Sequence, residues 1–276
     1  SIASASIPIM PEFDAQALSN TAWAGATLEW RDGPLLQAIS AASIPRIASF
    51  NSQDISNIAW ACARLAIGDR PLLHAIAAAS IRSISAWSGR TLAITAWAFS
   101  SLCCADGPLL EAISAASLRK MPAFDARDIA GTLWAVARLG FEDRPLLDAL
   151  SAAARPKLPH FGPQALANTA WAFAAMELRN GPLLAAISAQ ASATLRLAAV
   201  PPPQEHGGTA ASVETSAAPG AASAPRTADV LGVVHAMATA GALDSRLLSS
   251  AAAFLAGLAE PIAGAAEPAP RRAGAA

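Results

Sequence analysis

FDAQALSNTAWAGATLEWRDGPLLQAISAASIPRIAS, Phe13 to Ser49, is one copy of a pattern that this chain repeats. Its Trp23 returns at Trp60, Trp97, Trp134 and Trp171, an unbroken period of 37 residues. Phe13, Phe50, Trp87, Phe124 and Phe161 keep the same spacing, as do Pro34, Pro71, Pro108, Pro145 and Pro182, each followed by Leu-Leu. A fixed period of this length marks a repeat array, in which each unit touches only its neighbours. Counting units therefore replaces counting domains.

Within a unit, Asp14 sits where a helix N-cap belongs, and Asn51, Ser88 and Asp125 are capping residues at the same position, with the weaker Gly162 last. A first helix, A, is expected from there through LSNTAWAGATLEW. The breaker cluster Arg31-Asp32-Gly33-Pro34, repeated as GDRP, ADGP, EDRP and RNGP, ends it. Proline fits the first helical position, where its missing N–H is unpaired in any case, so a second helix, B, is expected to start at each Pro. Leu35, Leu36, Ile39 and Ala42 share one face of B, which gives way near Ser43 to a short connector carrying Ile47. No period-2 alternation suggests a strand. The expected fold is all-α, an α-solenoid of 37-residue helical hairpins. A single hairpin has nothing against which to bury its apolar face, and the many Ala residues let stacked helices approach closely.

The boundaries follow from the beat. Residues 1–12 read as the end of a preceding unit, so the chain is expected to be a piece of a longer protein. Five units span 13–198, divided as 13–49, 50–86, 87–123, 124–160 and 161–198. Residues 199–226 are a Pro, Gly, Ser and Ala mixture expected to be a disordered linker. DVLGVVHAMATAGALDSRLL, from Asp229, then echoes DIAGTLWAVARLGFEDRPLL, from Asp128, so 227–260 is expected to be a degenerate sixth unit with His235 in place of Trp. Residues 261–276 read as a disordered tail.

Composition and motifs exclude several functions. The net charge of −1 provides no overall field to draw in nucleic acid. The 54% hydrophobic content is mostly Ala, and no run of strongly apolar residues is long enough for a membrane span, so a protein without membrane contact is expected. Three cysteines, Cys62, Cys103 and Cys104, lack metal-ligand spacing and suit a reducing compartment. No phosphate loop, zinc helix or nucleophile elbow is present, and His74, His160, His206 and His235 fall at unrelated unit positions. Asp125 and Asp128 stand at a helix start, where carboxylates complement the macrodipole rather than form a catalytic pair. No catalytic residue, metal site or cofactor is expected, and no enzymatic activity.

Two surface features remain. Positions 16, 20, 27 and 31 of the first unit and their equivalents lie within about 60° on a helical wheel, one stripe along helix A. Its Gln16, Asn20, Gln53, Asn57, Arg64, Arg90, Arg127, Arg138, Gln164 and Asn168 are the side-chain types that form base-edge hydrogen bonds. The plainer alternative is a solvated face, or Asn20, Asn57 and Asn168 bonding backbone between units. The repeated Trp lies beside the stripe, and its constant spacing amid Ala points to inter-unit core, with a stacking platform for bases as the alternative. The second feature is the connector after helix B. Arg46, Arg82, Arg119, Lys120, Arg155, Lys157 and Arg196 fall there, either as phosphate contacts or because cations favour helix C-termini.

FGPQALANTAWAFAAM (161–176) and NSQDISNIAWACARL (51–65) resemble the x-P-Q-x-L-A-N-x-x-W-A-x-A-x-L signature of octotricopeptide repeats. The resemblance covers residues 1 to about 198. It implies an α-solenoid of a family imported into chloroplasts or mitochondria, related in architecture to RAP-domain and FAST kinase-like proteins, that binds organellar RNA and influences its stability, processing or translation. Ile94 and Gly131 replace the signature Asn, and Arg90 and Arg127 replace the Gln. The expected function is single-stranded RNA binding, with a protein-interaction scaffold as the alternative. Near-zero charge and Ala-rich grooves suit a peptide partner too.

Overall fold

The computed structural model describes residues 5–178, 180–198 and 226–263, and these are helical without a strand among them. The expected disordered segments lie outside the described residues, apart from Arg226 and 261–263. The helices alternate as A and B: α1 (Ala15–Thr27), α2 (Gly33–Ser43), α3 (Ser52–Arg64), α4 (Arg70–Ser83), α5 (Gly89–Ser101), α6 (Gly107–Lys120), α7 (Ala126–Leu139), α8 (Arg144–Lys157), α9 (Pro163–Ala175) and α10 (Gly181–Ala198). Two more, α11 (Thr227–Thr239) and α12 (Ser245–Ala263), occupy the region of the degenerate sixth unit, and α12 continues past residue 260.

Local chemistry sets the helix ends. Asp14, Asn51, Ser88 and Asp125 each accept a backbone N–H in the first turn of an A helix, while Gly162 has no side chain to do so. Helix B begins one residue earlier than expected, which places Pro at its second position. The reason is the preceding Asp. Asp32, Asp69, Asp106 and Asp143 are N-caps whose carboxylates accept from the Leu at the third position, since the Pro between has no N–H to offer. Three cap carboxylates also tie units together: Ser40 Oγ donates to Asp69 (2.6 Å), Ser114 Oγ to Asp143 (2.5 Å) and Ser188 Oγ to Asp244 (2.7 Å). The last bond joins α10 to the start of α12, with 199–225 between them in sequence.

Each A helix ends in a left-handed residue, Glu29, Ala66, Cys103, Gly140, Glu177 or Gly241, with φ between 51° and 65°. The following N–H reaches back to the carbonyl five residues earlier, as from Trp30 to Gly25 (2.8 Å) and from Ile67 to Cys62 (2.8 Å). Only two of the six are glycine. Ala66 is exposed, so Ala66→Gly is expected to stabilise the protein by about 0.5–1 kcal/mol, the relief of left-handed strain exceeding the added chain entropy. Gly140→Ala is expected to cost a similar amount, and urea midpoints compare the two.

Successive A helices pack directly on one another, from α1 on α3 to α9 on α11. Short 3-10 connectors, Ile44–Ser49, Ile84–Ala86, Met121–Ala123 and Leu158–His160, insert beside the following B helix. Columns of equivalent residues form one continuous core: Leu18, Ile55, Leu92, Ile129, Leu166 and Val230 are all at most 3% exposed. Leu35, Leu72, Leu109, Leu146, Leu183 and Leu247 form a second buried column from the B helices. The buried Phe50, Trp87, Phe124 and Phe161 form another at the unit starts.

Candidate nucleic-acid interface

The five repeated tryptophans do not form the inter-unit core. Trp23 is 47% exposed, and Trp60, Trp97, Trp134 and Trp171 are half-buried on the A-helix face. The physical reason is volume. Ala-lined A helices pack too closely to admit an indole between them, so the rings lie over the seams. They form a ladder, with centroids 6.4 Å apart for Trp23–Trp60, 6.3 Å for Trp97–Trp134 and 6.1 Å for Trp134–Trp171. Among the described residues, Trp60 and Trp97 are the neighbouring pair that makes no ring contact, so the ladder is interrupted there.

A groove of about 480 Å³ opens at this interruption. Trp60 and Trp97 line it together with Arg90, Arg127, Gln164, Asn168 and His160. Ala93, Ile94, Ala130 and Gly131 provide apolar surface between them. Gly131 matters because Asn occupies its position in α1, α3 and α9. A Cβ added there would meet only the Ala93 Cβ, at 3.9 Å, so the space is open for want of a side chain. Asp128 also reaches the groove, but its Oδ2 accepts the Asp125 N–H (3.1 Å) and Asp125 Oδ1 accepts the Asp128 N–H (2.8 Å). This reciprocal capping box commits one oxygen of each carboxylate. Burial pushes the Asp128 carboxyl above the ordinary aspartate range, opposed by the Asp125 N–H and by Arg90 and Lys157.

The stripe residues divide into groups. Gln16, Asn20, Gln53 and Gln164 are exposed, and Asn57 and Asn168 are half-buried. None of Asn20, Asn57 and Asn168 makes a side-chain hydrogen bond among the described residues, so their amides are not spent on backbone between units. Arg64 instead pairs with Glu29 of the preceding unit. Arg138 lies 5.3 Å over the Trp134 ring and donates from Nε to the Ser100 carbonyl (3.1 Å). Arg90 and Arg127 are exposed at the groove.

The connector cations also divide. Arg46 donates to the carbonyls of Phe13 (2.5 Å) and Pro11, and Lys157 to those of Pro122 (3.2 Å) and Phe124. One unit's connector is thereby stapled to the previous one through the same register, a role the spacing of lone cations did not reveal. Arg196 bonds the Ser192 carbonyl of its own helix (3.2 Å). Arg82, Arg119 and Arg155 are exposed, and Lys120 is half-buried.

Residues 70–201, which include α4 to α10 and most of the groove, are similar to one known family. They match the profile of the RNA-editing substrate-binding complex 6 protein. The match spans just under half of the chain and begins at the first residue of α4. No curated protein matches. Among the described residues there is no helix long and apolar enough to cross a membrane, and no cluster of metal-ligating side chains. Burial pushes the Cys62 thiol up to about 12, with Asp69 adding to the shift, so it stays protonated at neutral pH.

Proposed function

We propose that this chain binds single-stranded RNA along its A-helix face and acts in organellar RNA stability, processing or translation, as a binding protein rather than an enzyme. The observation that carries this reading is the groove itself. It sets indole faces beside exposed guanidinium groups, with unbonded amides in the flanking units, and these are the group types that stack on bases, contact phosphates and read base edges. The similarity of 70–201 to a family named for an RNA-editing substrate-binding complex supports an RNA ligand. The octotricopeptide-repeat signature supports the finer reading, in which each unit presents its stripe to about one nucleotide and the protein works in a chloroplast or mitochondrion.

Titration of single-stranded RNA variants at two salt concentrations tests this. Asn57→Ala or Gln53→Ala is expected to shift preference at one nucleotide by about 1–3 kcal/mol with little change in salt slope. Joint neutralisation of Arg82, Arg119 and Arg155 is expected to weaken all sequences alike and flatten that slope. Arg46 and Lys157 are poorer probes of phosphate contact, because their loss also removes the staples between connectors. Absence of RNA binding at low salt would favour a protein-interaction scaffold, for which the exposed Trp23, Leu28 and Trp30 of the first unit provide apolar surface.

A further inference from the structure

We infer that the groove over Gly131 is a nucleotide-sized anchor that takes one phosphorylated nucleoside unit of any base, and so interrupts base reading in the middle of the array. The inference rests on the RNA-binding reading of this face and specifies what its centre does.

Three observations meet at this place. The tryptophan ladder breaks between Trp60 and Trp97, each of which contacts a neighbouring indole on its other side, Trp23 and Trp134 respectively. A planar base placed in the break continues the ladder, and stacking on an indole is available to every base because every base has a π face. The second observation is the floor. Ile94 and Gly131 stand where the first, second and fifth units carry Asn, so the floor of the break has no amide of its own, and the nearest amides, Gln164 and Asn168, bound the groove on the α9 side. The third is charge. Arg90 and Arg127 replace Gln at one rim, where α5 and α7 also begin, so two guanidinium groups and two helix N-termini favour an anion there. Asp128, the nearby carboxylate, has one oxygen committed to the capping box. Phosphate contacts position a ligand without reading its sequence. The groove volume of about 480 Å³ falls within the range of small-molecule sites.

The same two substitutions that depart from the reading pattern, Gln to Arg and Asn to a residue without an amide, thus produce a site of different chemistry. Asn20 and Asn57 precede it along the stripe, and Asn168 bounds it on the α9 side.

The test uses the whole chain with adenosine, guanosine, cytidine and uridine 5′-monophosphates, uridine without phosphate, and inorganic phosphate. Binding is followed by calorimetry and by the indole N–H signals of Trp60 and Trp97. The four monophosphates are expected to bind within about threefold of one another, and uridine or phosphate alone at least tenfold more weakly. Gly131→Asn fills the floor with the amide found in other units, and is expected to weaken monophosphate binding at least tenfold without lowering the melting temperature. Arg90→Gln with Arg127→Gln alters two exposed side chains and is expected to do the same. In RNA, Gly131→Asn is expected to make the nucleotide at this unit base-dependent. Failure of all monophosphates to bind, or binding indifferent to both sets of substitutions, overturns the anchor. If RNA still binds in that case, the RNA reading stands without the anchor. If monophosphates bind as expected but no RNA does, the pocket stands and the RNA reading fails.

Discussion

Trp87→Ala is expected to cost about 3–5 kcal/mol and to lower the urea midpoint more than removal of any of the five periodic tryptophans. Trp87 is 1% exposed, in the column otherwise filled by Phe, and its Nε1 donates to Ser83 Oγ at 3.0 Å. Truncation leaves a cavity the size of an indole between the second and third units and removes the donor to Ser83 Oγ, which keeps its own bond to the Ala79 carbonyl (3.1 Å). In a solenoid the damage passes to both neighbours, because each unit is stabilised largely through its interfaces. Trp97→Ala removes a half-buried ring stacked on Trp134 at 6.3 Å, and is expected to cost only about 1–2 kcal/mol. Equal losses for the two would show that the ladder is core and would remove the case for a stacking surface.

Gly89→Ala and Gly131→Ala are expected to have opposite signs. Both glycines lie in A helices, where replacement by Ala gains about 1 kcal/mol of helix propensity at most. At Gly131 nothing opposes that gain, since the new Cβ meets only the Ala93 Cβ at 3.9 Å. At Gly89 the new Cβ falls 2.7 Å and 2.9 Å from ring carbons of Phe124 and 3.0 Å from Asp128 Oδ2. Phe124 is 1% exposed and has no room to retreat. Overpacking of this kind costs about 1–3 kcal/mol, which outweighs the propensity gain at the first position of a helix. Thermal unfolding of the two variants side by side checks the prediction, and a stabilised Gly89→Ala protein would contradict the close packing of Phe124 on Gly89.

The sequence by itself determined the periodic part of this protein. Units of 37 residues, two helices in each and capping at Asp14, Asn51, Ser88 and Asp125 depend on local chemistry: dihedral preferences, orphan backbone donors and the spacing of apolar residues. The all-α array of helical hairpins is therefore legible in local chemistry alone. What only the tertiary structure decided is where each repeated side chain points once two units stack. Trp and Phe both recur every 37 residues, and periodicity makes them equivalent, yet Phe124 is enclosed while Trp134 lies over a seam. The spacing between A helices, set by Ala on both sides, chooses between them. Cation position was similarly ambiguous: Arg46 and Lys157 fell in one basic edge by sequence, and the contact between connectors turned them inward to carbonyls. The groove is the clearest case. Arg90, Arg127 and Gly131 read singly as departures from a motif, and they become a site because parallel stacking brings residues about 37 positions apart in sequence onto adjacent A helices. Local rules fix what repeats. Close packing between units fixes which of the repeated groups face solvent.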